Sequence, residues 1–378
     1  MIYFVTHEFA PFRGGGATYV QEVARAAANL GYPIQVIAPD YGQTFHASDA
    51  ELPYRIERVP CDGRLTPAGI WSLARALAQR RGALRNSPVV LLSVGAHMAM
   101  MSFILFSGRR WSRPVIALFH GSEVLRFRKH PFWRHVAARV FPSTKPACSS
   151  HYVEHLLREN ELYPRETPFL LAPCACPSAV VASARSVGDA RCPNPAGFRL
   201  LTLARLHPRK GQHLTARALG LLPHSARKRV RYDIVGDGTA AYRRVVERAC
   251  VAAGIDFTIR SAVPPEELTA VYSACDAYIM TSVALPNSVE GFGITYLEAS
   301  IHGRPVIAFR TGGVEEAVVD GETGLVVPEG DLPGVVNAVL RLMDDPALAA
   351  RLGQKGREFA AGFHWETAAR VLCEAALA

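Results

Sequence analysis

SVEGFGITYLEAS, residues 288–300, carries two glutamates, Glu290 and Glu298, eight positions apart, with Gly291-Phe292-Gly293 directly behind the first. The run from about Gly293 reads as a helix. Glu290 then lies just outside the helix, beside its unpaired backbone amides and positive dipole end. Glu298 falls five residues inside, roughly 7.5 Å along the axis at about 1.5 Å per residue. Two acids flanking a helix nose suit a ligand with polyhydroxyl groups at both ends of an anionic bridge. The plain alternative has Glu298 facing solvent.

The rest of the chain decides what kind of sheet this helix serves. Short apolar runs alternate with helical patterns, which predicts parallel sheets flanked by helices. In the front half MIYFVT reads as a strand and ATYVQEVARAAANLG as a helix ending at Gly31; IQVIAPD, VVLLSV and PVIALFHG read as further strands. The grammar restarts at FRLLTLARL and runs through RYDIVGDG, IDFTIRSAV, AYIMTS, PVIAF and TGLVV, with helical stretches between. Residues 173–197, rich in Pro, Ala and other small residues and without a clear period, read as an interdomain linker. The expected fold class is α/β, with two Rossmann-like doubly wound domains facing across a cleft. Residues 1–175 form the first domain, 176–197 the linker and 198–363 the second domain.

Composition fits that reading. At 378 residues, 49% hydrophobic and 20% charged, the chain is an ordinary globular protein of two-domain size. Its eight cysteines show no small-scaffold spacing and are expected reduced, in a cytosol; Cys174-Ala-Cys176 matches no standard zinc pattern. MIYFVTHEFAPF shows no basic segment followed by a long apolar stretch, so no secretion signal is expected there. Residues 88–110 are nearly long enough to span a bilayer, but Ser93, Gly95 and His97 interrupt them. A buried strand, Val89 to Val94, followed by a loop and a buried helix is expected there instead. The net charge of +9 is uneven: residues 1–175 hold 20 Lys/Arg against 12 Asp/Glu, the remainder 22 against 21. An anionic surface or substrate is therefore expected at the front half.

Ligands of open parallel sheets gather at the carboxyl ends of strands, and four further groups stand there. The triple glycine of PFRGGGATYV, including Gly15 and Gly16, opens the first helix, either as an anion cradle or as a flexible turn. His120 follows PVIALF. Arg205, Arg209 and Lys210 of ARLHPRKGQHL precede a helix, as a phosphate grip or a solvated basic turn. Gly312-Gly313 precede another helix. No two aspartates are separated by a single residue, so the paired-carboxylate device for a divalent metal is absent from the sequence. No metal or cofactor is expected, and phosphate charge would fall to Arg205, Lys210 and helix ends.

EGFGITYLEA, together with GRPVIAFRTGGVEEAVVDGETGLVVPEGD, LARLHPRKG, VGDG and PFRGGGATYVQEVARAAANLGYPIQVIAP, resembles glycosyltransferase family 4, the retaining group with the GT-B fold. The resemblance covers almost the whole chain, most specifically 198–330. It implies transfer of a hexose or related sugar from a nucleotide-diphosphate sugar to a hydroxyl of a glycan, lipid-linked or small-molecule acceptor, without metal. It implies that Glu298 binds the ribose hydroxyls and that Glu290 faces the donor sugar. Arg205 and Lys210 neutralise the departing diphosphate, Gly15 and Gly16 line the phosphate, and His120 lies near the transferred sugar. Amides around Gly291, Phe292, Gly293 and Ile294 hold the sugar and distal phosphate, and Val263 stands where the base is usually held. The last helix, 364–378, can cross back onto the front domain as in relatives. One departure is Val314-Glu315 in place of the family's common Pro-Glu.

The stretch 107–139 holds eight Lys/Arg against one acid, interleaved with Trp111, Phe127, Phe132 and Trp133. Such a face is expected either to dock peripherally on an anionic membrane or to be a solvated basic surface with some core aromatics. Two rival readings remain. A non-catalytic sugar-nucleotide sensor on the same fold would lose the acids and Lys210, which are present. A polyanion-binding protein is opposed by the near-neutral back half and the lack of a nucleic-acid motif.

Overall fold

The structure, a computed structural model, describes residues 1–12, 14–42, 49–107, 114–187 and 197–378. The chain divides into two compact units, Met1–Cys174 with His364–Ala378, and Ala175–Phe363.

Among the described residues the first unit is built on seven strands: β1 (Ile2–Val5), β2 (Ile34–Pro39), β3 (Arg55–Val59), β4 (Val89–Leu91), β5 (Val115–Phe119), β6 (Lys145–Cys148) and β7 (Leu170–Leu171). Their order is β3-β2-β1-β4-β5-β6-β7, and every pairing is parallel. β4 and β5 are buried at every position, which is why they read as unbroken apolar runs. Helices α1 (Gly15–Asn29), α2 (Pro67–Gln79), α3 (Val94–Ser107), α4 (Ser122–Lys129) and α5 (Pro131–Val140) belong to this unit. α1 ends just before Gly31, whose φ of +86° is the left-handed stop a glycine supplies.

The described residues of the second unit carry six strands: β8 (Phe198–Leu203), β9 (Val230–Val235), β10 (Asp256–Arg260), β11 (Ala277–Met280), β12 (Val306–Arg310) and β13 (Gly324–Pro328). They order as β10-β9-β8-β11-β12-β13, again all parallel. Its helices include α6 (Ser178–Val187), α7 (Gln212–Gly220), α8 (Ala240–Ala253), α9 (Leu268–Ser273), α10 (Ile294–Ile301), α11 (Val314–Ala317), α12 (Leu332–Asp344) and α13 (Pro346–Ala361). A buried apolar cluster joins the faces of β8, β9, β11 and β12 to α7, α8 and α12. In each sheet the strand order reverses once, between β1 and β4 and between β8 and β11. These switch points leave crevices at the strands' carboxyl ends, where doubly wound sheets bind ligands.

Several details differ from the sequence reading. The run expected as a strand from Val89 to Val94 is a strand only to Leu91, because Val94 already opens α3. Among the described residues no helix is long and apolar enough to cross a membrane. β3, β6 and β7 are additional strands: β3 is a charged edge with little apolar content, β6 contains Pro146, and β7 is two residues long. The stretch 173–197, expected to lack a period, contains the Ala-rich helix α6, which packs against α9 and α10 of the second unit. Seven described cysteines are free and buried. Arg13, Cys192, residues 108–113 and the linker's 188–196 lie outside the described residues.

The final helix, α14 (Trp365–Leu377), packs on α1 within the first unit. Trp365, 4% exposed, meets the edge of Tyr19 at 5.2 Å, and the fully buried Tyr19 donates its hydroxyl to the Ala172 carbonyl at 2.8 Å. Trp365→Ala is expected to destabilise the first unit by about 3–5 kcal/mol through the cavity it leaves. The readout is a lower midpoint in urea unfolding followed by circular dichroism, and an unchanged midpoint would contradict it.

Candidate active site

At the switch point of the second sheet, three loops are drawn together by backbone contacts that only glycine permits. The loop after β8 makes a short 3-10 turn at Pro208–Lys210 and enters α7 through Gly211, at φ +69°. A Cβ on Gly211 would stand 1.8 Å from the Thr281 carbonyl oxygen. Thr281 donates its hydroxyl to the Gly211 carbonyl at 2.8 Å, and the Val283 amide donates to the Arg209 carbonyl at 2.8 Å. The loop after β8 is thereby stitched to the loop after β11. On the other side, the Gly313 amide donates to the Glu290 carbonyl at 2.9 Å. A Cβ on Gly312 or Gly313 would come within 2.0 Å of the Glu290 or the Gly291 carbonyl oxygen respectively. The double glycine after β12 is therefore a seat for the Glu290 loop.

This stitching aims three charged side chains at one point. Arg209 Nη1 and Lys210 Nζ reach Glu290 Oε2 at 2.7 and 2.5 Å, and the Ser282 hydroxyl stands 3.4 Å from the same oxygen. Glu290 is 7% exposed. Burial alone would raise its pKa, but the Arg209 and Lys210 charges override that and hold the carboxyl at about 2. Burial pushes the Lys210 ammonium down to about 8, against the pull of Glu290. Among the described residues, Arg209 Nε is buried with no hydrogen-bond partner. The cluster is an ionised acid within a two-cation clamp.

Glu298 sits deeper. α10 begins after Gly293, at φ +94°, and presents its unpaired first-turn amides beside the Glu290 loop. Glu298 is 8% exposed, which rules out the solvent-facing alternative, and it accepts the Tyr272 hydroxyl on Oε2 at 2.6 Å. Burial raises its pKa, opposed by the Tyr272 hydrogen bond and the Lys210 charge.

The remaining expected residues are spread over both units. Arg205 is exposed at the end of β8, and its charge is felt at Lys210. It is Arg209, grouped with the basic cluster in the sequence but given no role there, that contacts Glu290. Val263 is half-buried in the loop after β10. Gly291, Phe292, Gly293 and Ile294 form the lead into α10, with Phe292 buried. In the first unit, Gly15 and Gly16 open α1, where a Cβ on Gly16 would meet Glu8 Oε2 at 2.5 Å. His120 follows β5; its amide donates to Glu123 Oε1 at 2.7 Å and its ring meets the edge of Tyr19 at 4.8 Å. Burial lowers its pKa, opposed by Glu123 and the Leu92 carbonyl. Tyr272 and Ser282, which touch the two glutamates, belong to no motif in the sequence; Tyr272 lies 26 positions before its partner, and Ser282 meets Glu290 only through the fold of the loop after β11.

The sequence profile described as "Glycosyl transferases group 1" matches residues 194–359, and that described as "Glycosyltransferase Family 4" matches 13–167. Over 98% of this chain and 96% of the relative, it is 30% identical to the GDP-mannose-dependent alpha-(1-6)-phosphatidylinositol monomannoside mannosyltransferase of Mycolicibacterium smegmatis. The chain belongs to glycosyltransferase family 4. Among solved structures it is similar to sucrose-phosphate synthase from Thermosynechococcus elongatus, with a TM-score of 0.75 at 20% identity over 97% of this chain and 96% of that one. HepE of Anabaena in complex with UDP-glucose gives 0.71 at 19% identity over 99% and 98%. The fold of this glycosyltransferase is GT-B. Because Lys210 carries its charge only below about pH 8, kcat/KM is expected to fall as pH rises through that value. A pH profile flat to pH 10 would remove the lysine from the working machinery.

Proposed function

We propose that this glycosyltransferase is a retaining mannosyltransferase that uses GDP-mannose and glycosylates a hydroxyl of a lipid-linked acceptor, without a metal ion. The observation that carries the reading is the Glu290 carboxylate clamped by Arg209 and Lys210 at the nose of α10. Support for the donor and acceptor classes comes from the mycobacterial relative, whose name specifies GDP-mannose and a phosphatidylinositol mannoside.

The chemistry follows from these groups. The bond from the anomeric carbon to the phosphate oxygen breaks, and negative charge grows on the departing diphosphate. Lys210, Arg205 and the first-turn amides of α10 meet that charge, a preorganised stabilisation of the kind that dominates such reactions. The acceptor hydroxyl forms the new bond on the face being vacated and gives its proton to the leaving phosphate. Glu290 orients the sugar's hydroxyls, Glu298 the ribose, and Val263 borders the base. Gly15, Gly16 and His120 keep the roles that the family resemblance assigns them.

Location is part of the proposal: the cytoplasmic side, peripheral on the inner membrane face. In the basic stretch 107–139, Arg126, Arg128, Lys129, Arg134 and Arg139 are exposed on α4 and α5 beside Phe132, which is 62% exposed. Phe127 is not part of that surface, being fully buried against Phe141. Trp111 lies outside the described residues. Exposed basic residues at an anionic leaflet contribute about 1 kcal/mol each. Co-sedimentation with phosphatidylglycerol vesicles at low salt is expected, and absence of binding would remove the membrane from the reading.

The catalytic reading is tested with purified protein, GDP-, UDP- and ADP-sugars and a phosphatidylinositol mannoside acceptor. GDP-mannose is expected to be consumed with acceptor-dependent release of GDP, and Glu290→Gln to lower kcat by roughly 10²–10³-fold while GDP still binds. Donor binding without turnover would point to a sensor, and indifference to all donors would end the proposal.

A further inference from the structure

The Glu290 clamp does not account for the phenol buried against Glu298. Tyr272, fully buried on α9, donates to Glu298 Oε2 at 2.6 Å. Its ring stacks on His302 with centroids 4.9 Å apart and planes 18° from parallel. His302, which ends α10, lies 2.7 Å by Nδ1 from the carbonyl oxygen of Glu298 itself, so Nδ1 is the nitrogen that donates. Its Nε2 faces the Thr269 hydroxyl at 3.2 Å, one turn before Tyr272 on α9. The side chain and the main chain of Glu298 are thus both anchored to the same short helix. Tyr278, 6.2 Å from the Tyr272 ring, donates to Thr295 Oγ1 at 2.9 Å and pins the first turn of α10.

This arrangement exceeds what holding two helices together requires. An apolar pair at 272 and 298 would pack them without burying an acid, and a buried carboxylate is costly unless its oxygens are hydrogen-bonded. A phenol on one oxygen restricts how the carboxyl group can turn and so sets the direction of the other oxygen. α9 also follows the loop that holds Val263, after a 3-10 turn at Pro265–Glu267, so the same segment of chain leads from the base-side loop to the acid.

We propose that Tyr272 is a positioning residue for nucleotide recognition: by taking Oε2 of Glu298 it aims Oε1 at a ribose hydroxyl of the donor, with His302 and Thr269 holding the phenol in place. The proposal rests on the reading of Glu298 as the ribose ligand, and the two can be told apart.

The experiment compares GDP-mannose with its 2′-deoxy and 3′-deoxy analogues on the full-length wild-type protein, Glu298→Gln and Tyr272→Phe. A hydrogen bond to a charged group corresponds to roughly ten- to hundredfold in affinity, so the wild type is expected to prefer the ribose donor by that factor. Tyr272→Phe keeps the ring and its stack but removes the donor. It is expected to raise KM for GDP-mannose about tenfold, leave kcat within about twofold, and bring the ribose-to-deoxyribose preference close to one. A Tyr272→Phe enzyme that keeps the full preference overturns the proposal. Full preference retained in Glu298→Gln, or a wild type indifferent to ribose hydroxyls, overturns the underlying reading of Glu298 instead. If Tyr272→Phe does not fold, His302→Phe carries the same test. It keeps an aromatic stack but loses both anchoring bonds, so its preference should fall in the same direction, and a folded His302→Phe protein with undiminished preference also overturns the proposal.

Discussion

A carboxylate that is both buried and ionised must be held by cations, and Glu290 is held by two. Removing water from such a charge costs several kcal/mol, and a buried ion cluster is favourable only when its geometry is fixed closely enough for the attraction to offset that loss. The glycines at 211, 312 and 313 follow from this requirement. Each lets one backbone approach another at a distance no side chain would tolerate, and together they bring the loops after β8, β11 and β12 to a common point. The cluster leaves an uneven distribution of charge: one acid against two half-buried cations, with the exposed Arg205 nearby. That surplus of positive charge is suited to a ligand that arrives carrying negative charge of its own.

Topology puts the cluster where it can be used. A parallel sheet whose connections wind one way and then the other opens a crevice at the reversal. In the second sheet that reversal lies between β8 and β11, the strands that carry Lys210 and Glu290 on their outgoing loops. The same arrangement in the first sheet places the outgoing segments of β1 and β4 side by side, with His7 Nδ1 2.6 Å from the Ser93 hydroxyl.

Much of this was legible in the sequence, and the reasons are physical. A strand buried at every position, such as β5, is apolar throughout and reads plainly; β3, an edge strand with Arg55, Glu57 and Arg58, does not. The helix α6 is poorly legible because Ser and β-branched Val give weak helical signals, and its packing against α9 and α10 is a tertiary fact. In the site, Glu290, Glu298 and Lys210 were found through local motifs. Tyr272 was not, because its meaning comes entirely from a residue 26 positions later on another helix. Arg209 and Arg205 look equivalent on paper; only the turn at Pro208–Lys210 decides which guanidinium faces the acid.

The return of α14 to the first unit has a consequence for biosynthesis. Tyr19 and its neighbours on α1 are covered by Trp365 and the rest of a helix that the ribosome makes after all of the second unit. During translation the earlier-made unit must wait with an uncovered apolar flank while the later-made one has every segment it needs. Maturation would therefore run against the direction of synthesis, with the second half consolidating first and the closing helix sealing the other afterwards.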